Sequence, residues 1–143
     1  RLAGLAHKGD YNQIGKAFDT LFAWAGARGL LGPQTRSFGV YYDDPDSVPE
    51  RDLRSFAGVL VGPDFAASGD MSIVELPEMM TASVVHKGPY AELKSAYRHL
   101  YQTWLPTSGR EPGALPCFEE YLNNPRALPP TEWLTKVSMP LAA

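Results

Sequence analysis

The chain has 143 residues, 44% of them hydrophobic and 20% charged, a composition that excludes a disordered tail and fits an ordinary folded domain. A formal net charge of -3 leaves no broad basic face to neutralise phosphates, so direct nucleic-acid contact by this chain is not expected. The single Cys117 excludes an internal disulfide, and with no apolar run long enough for a membrane span or a signal peptide the expected setting is the cytoplasm.

In chain order, the first element is a strand that ends at "HKGDY", residues 7 to 11. It leads into a helix, because Ile14, Ala17, Phe18, Leu21, Phe22 and Ala25 fall at the spacing of one helical face. "FGVYYDDP" at 38 to 45 and "DLRSFAGVLV" at 52 to 61 then read as two strands. After a joint at 63–70, rich in Gly, Ala, Ser and Asp, the pattern returns. A strand within "MSIVELPEMMTASVVHKG", interrupted at Leu76-Pro77, reaches "HKGPY" at 86 to 90. Leu93, Ala96, Tyr97, Leu100, Tyr101 and Trp104 form the second helical face, and "FEEYLNNP" at 118 to 125 and "EWLTKVSMPL" at 132 to 141 close the unit as strands.

The pattern that follows is a tandem β-α-β-β repeat with two main helices. Repeat one covers 1–62 and repeat two 71–143. Units of this size have little interior of their own, so the two are expected to fuse into one domain spanning 1–143. The spacing between copies is 79 at the histidines and 80 at the later strands, a one-residue slip that is assigned to a loop. Arg rather than Met at position 1 reads as a longer native chain that has been cut.

Most chemistry is poorly supported. His7 and His86 are repeat-related, but neither has a Cys or carboxylate at ligand spacing, so no metal and no cofactor is expected. "GARGLLGP" lacks the features of a phosphate loop, and there is no G-x-S-x-G elbow or Cys-His arrangement for a nucleophile. The aromatic residues are mostly core by their spacing, although seven Tyr could also point polar tips into a cavity.

The copies differ most in their third elements. Where one half has Phe38-Gly39-Val40-Tyr41, the other has Phe118-Glu119-Glu120-Tyr121. Alternation in a strand puts Glu119 on the face of Cys117 and Tyr121, and Glu120 on the face of Phe118 and Leu122. Both acids could be surface charges. The exchange of Gly39 for an acid favours a cleft with Glu119 as its single charged group, with room left at Gly39 beside Tyr41.

The His-x-Gly-x-Tyr corner before a helix, the Phe-Glu-x-Tyr-Leu-Asn-x-Pro stretch and the closing "SMPL" strand together resemble the GyrI-like small-molecule-binding domain. The resemblance covers both halves and implies an α+β fold, the tandem β-α-β-β repeat forming an antiparallel sheet with a groove between the halves. It implies the effector-binding part of an AraC-type transcription regulator that takes lipophilic, cationic or aromatic small molecules, with DNA reached only through a helix-turn-helix domain absent from this chain. It also implies that Glu119 is the groove acid; Tyr90, Trp104 and Tyr121 are our own expectation for the walls. Stand-alone relatives offer other readings: a drug-sequestering protein, a gyrase inhibitor, or a hydrolase of cyclopropane-bearing toxins in which Glu119 would act on water.

Overall fold

The computed structural model describes residues 1–29, 31–32, 35–66, 71–77, 79–123 and 127–142. The end of the joint, 67–70, and the Asn124-Pro125 close of "FEEYLNNP" lie outside the described residues. The chain forms two units, Arg1–Pro77 and Glu78–Ala143.

The first unit contains β1 (Leu2–Lys8), α1 (Gly15–Ala27), β2 (Ser37–Tyr41), β3 (Arg54–Leu60) and β4 (Ser72–Val74). Its strands pair antiparallel in the order β4-β1-β3-β2. Short turns make the corners. The Asp10 carboxylate accepts from the Asn12 amide at 2.9 Å, which starts the turn into α1, and His7 Nε2 donates to the Asp10 carbonyl at 3.0 Å, closing the corner as its position predicts. The predicted apolar stripe then lays Ile14 and Leu21 on Ala57, Val59 and Met71. Leu21 is fully buried. Burying a side chain of that size is worth about 1.5–3 kcal/mol. One segment behaves differently from its sequence grouping: Ser72–Val74 pairs with β1, with Val74 opposite Leu2.

The second unit repeats the plan with β5 (Thr81–Lys87), a helix from Lys94 to Ser108, β6 (Cys117–Tyr121) and β7 (Leu134–Pro140), with β7 between β6 and β5. All its pairings are antiparallel. Leu93, Ala96 and Leu100 pack on Val137 and Met139. His86 does not repeat the bond made by His7, and its Nε2 is buried without a partner. The predicted α+β fold, with antiparallel strands and two main helices, is the one observed.

The helix of the second unit is not uniform. It runs as α2 (Lys94–Arg98), a π-helical segment (His99–Trp104) and α3 (Leu105–Ser108). A π turn holds one residue more than an α turn. The expected loop slip therefore sits inside this helix: the corner glycines Gly9 and Gly88 are 79 positions apart, whereas Gly29 and Gly109, which end the helices at φ 68 and 72, are 80 apart. The counterpart of Trp104 is then Trp24, not Ala25 as a constant spacing suggests. Pro106 supplies a physical reason for the wide turn, because it has no N–H to donate and its ring crowds the carbonyl four residues back, at Gln102.

Candidate functional site

The register between β6 and β7 settles which acid is enclosed. Glu119 lies opposite Val137 and Tyr121 opposite Thr135, both fully buried positions, whereas Glu120 lies opposite the exposed Lys136 on the other face. Glu119 is 5% exposed. Glu120 and Lys136 stand directly opposite each other across the strands, an arrangement that suits unlike charges.

Two phenols hold the buried carboxylate. The Tyr97 hydroxyl donates to Oε2 at 2.6 Å and the Tyr121 hydroxyl to Oε1 at 3.0 Å. Tyr97 comes from α2, two residues before the π segment, and Tyr121 from the same strand face as the acid. The Tyr90 ring stacks at 4.4 Å on Trp133 and meets Tyr121 at 5.4 Å. Burial first, and then the negative charge of Glu119, push the Tyr90 phenol up to about 12. Cys117, two residues before the acid, is also raised, mainly by burial and further by Glu119, while its 3.0 Å contact with the Tyr101 hydroxyl acts the other way. An acid among rings with this little exposure loses several kcal/mol of hydration, part of which the two O–H donors restore. A cation placed against the carboxylate and the ring faces would restore more.

Glu119, Tyr90 and Tyr121 are thus brought together as the sequence predicts. Tyr97 is the member that sequence reasoning takes for packing. Its signal lies in the repeat: Phe18 occupies the equivalent place in the first unit, so the hydroxyl appears in the half that also replaces Gly39 with Glu119. Trp104 belongs to the same apolar cluster but lines a separate cavity with Ala82, Ser83, Val84, His99 and Leu100. Gly39 and Tyr41 lie in the first unit, where Gly39 is buried opposite Ala57 and Tyr41 meets Tyr11 edge-on at 4.9 Å. Among the described residues no three His, Cys, Asp or Glu side chains converge as metal ligands, and no helix is long and apolar enough to cross a membrane.

The family model of the GyrI-like small molecule binding domain matches residues 1–142. The chain belongs to that family. This GyrI-like domain is 30% identical over 149 residues to a DNA gyrase inhibitor of Edwardsiella piscicida, covering 98% of this chain and 90% of the relative. A DNA gyrase inhibitor of Erwinia billingiae (strain Eb661) is 30% identical over 121 residues, or 76% of this chain and 70% of the relative. Among solved structures, EcmrR in its complex with DNA superposes with a TM-score of 0.76 at 21% identity, over 98% of this chain and 53% of EcmrR, so the GyrI-like domain spans about half of that protein. A hydrolase from Listeria innocua gives 0.67 at 18% identity over 99% and 86% of the two chains. SAV2435 bound to tetraphenylphosphonium gives 0.59 at 14% identity over 99% and 88%. At these identities the structures speak for the fold.

Proposed function

We propose that this GyrI-like domain binds lipophilic cations, with Glu119 as the counter-ion and Tyr90, Tyr97 and Tyr121 as the aromatic surround. The observation that carries the reading is the 5% exposed carboxylate of Glu119, held by two phenols in an apolar cluster. In this reading the domain is the sensor part of an AraC-type transcription regulator, with bound ligand biasing a DNA-binding domain elsewhere. The occurrence of the same fold over about half of EcmrR, solved in a complex with DNA, supports it.

A second reading is favoured by the sequence relatives: a protein acting as the named DNA gyrase inhibitors do, since the match at 30% identity covers 90% of one of them. Hydrolysis ranks lower on the geometry, because both oxygens of Glu119 already accept phenol hydrogen bonds and a general base needs one turned to a water.

The test is calorimetric titration with tetraphenylphosphonium and the neutral triphenylphosphine oxide, on the parent and on Glu119→Gln. The parent binds the cation at least about tenfold more tightly than the neutral compound, a difference of about 1.4 kcal/mol, and Glu119→Gln loses that preference. Equal cation affinity in parent and variant would remove Glu119 from the reading.

A further inference from the structure

The extra residue of the second helix coincides with a cavity. The second unit contains a hollow of about 240 Å³ whose helical wall, His99, Leu100 and Trp104, comes entirely from the π segment, and whose other wall is Ala82, Ser83 and Val84 of β5. The first unit's α-helix has one residue fewer and still lays its counterpart tryptophan, Trp24, against its core cluster; here the wide turn takes up the extra residue while Leu100 packs in the core and Trp104 lines the hollow.

The lining defines the occupant. Ala82, Val84, Leu100 and the Trp104 indole make it apolar, and among the described residues its only titratable lining group is the exposed His99. The Ser83 hydroxyl is engaged on the opposite sheet face with Ser138 Oγ at 2.9 Å. Among the described residues no acid lines it to attract a cation. An apolar cavity of about 150 Å³ suffices for benzene, and drug-sized ligands need at least about 300 Å³. The present volume lies between them, and a flat partner can lie against an indole face.

We propose that the π segment and β5 form a second binding site, separate from Glu119, for a neutral flat aromatic molecule of one or two fused rings. The site stands whether or not Glu119 takes cations.

Indole is the probe, followed by calorimetry and by the amide and indole N–H spectra of the ¹⁵N-labelled chain. Saturable binding that shifts the Trp104 indole resonance, undiminished by excess tetraphenylphosphonium, is expected. Ala82→Leu fills the hollow from β5 and should weaken indole binding by about tenfold or more, with an unfolding transition close to the parent's. The proposal is overturned if indole does not saturate the parent, if tetraphenylphosphonium displaces it, or if a folded Ala82→Leu binds indole as the parent does.

Discussion

Replacing Tyr97 with Phe removes a single oxygen from the site and leaves the ring in its packing place, so it isolates the bond to Glu119. That bond is 2.6 Å long, within the range of hydroxyl donors to ionised carboxylates. Hydrogen bonds to charged groups contribute about 1.5–3 kcal/mol, and the low exposure of Glu119 keeps water from replacing the lost donor. We expect Tyr97→Phe to cost about 2 kcal/mol at neutral pH. With a denaturant slope of about 2 kcal/mol per molar, the urea midpoint falls by roughly 1 M. The same substitution made on Glu119→Gln should cost much less, since the partner is then neutral. The comparison of the four proteins gives the coupling directly. If Tyr97→Phe lies within about 0.5 kcal/mol of the parent, or costs the same with Gln at 119, the charged bond contributes nothing to stability and the reasoning fails.

Three further outcomes follow from the structure. In an alkaline titration read by tyrosinate absorbance, the Tyr90 phenol ionises near 12, and Glu119→Gln lowers that value without restoring it to normal, because burial is the larger cause. Its raised value also means that the folded form holds the proton longer than the unfolded chain, so stability is intact below the usual tyrosine range and declines as pH rises towards about 12, a slope that Tyr90→Phe should flatten. Gly4→Ala destabilises the first unit by about 3 kcal/mol, since a Cβ there would overlap the Ala57 carbonyl of the paired strand, whereas Gly15→Ala at the open start of α1 is neutral or stabilising by up to about 1 kcal/mol; thermal unfolding separates the two. Cys117 reacts slowly with a disulfide reagent at neutral pH and faster in Glu119→Gln, because removing the negative charge favours the thiolate.

The duplicated β-α-β-β plan is legible because apolar spacing and the two His-Lys-Gly corners recur in register. Glu119 could be chosen over Glu120 because it stands where the first half has Gly39 and matches the acid of the Phe-Glu-x-Tyr stretch, whereas alternation by itself only puts the two acids on opposite faces. The hydroxyl of Tyr97 was less accessible. A Tyr on an apolar stripe packs whether or not its oxygen finds a partner, and only the rotation of the helix over β6 aims it at the carboxylate. The π segment escaped for another reason. Its side chains are the ones an α-helix would use, and an insertion is ordinarily absorbed most cheaply in a loop, so the slip was placed there. The identity of Trp24 and Trp104 at a spacing of 80 was the available clue. Nor does chain order reveal that Ser72–Val74 turns back to pair with β1, since a short strand can serve either neighbour.

The unequal helices also bear on how this protein can be rebuilt. A designer who treats the halves as interchangeable cassettes and grafts Gly15–Ala27 between β5 and β6 would bring a rod one residue shorter than the span it must fill. A graft aligned at the spacing of 79 that holds at the corners would put Ala25 in place of Trp104, because beyond the wide turn the halves correspond at a spacing of 80. Chimeras should therefore exchange the helix only up to Leu100 and keep the native chain from Tyr101 onward, so that the exit towards β6 stays in phase with the strand that carries the acid.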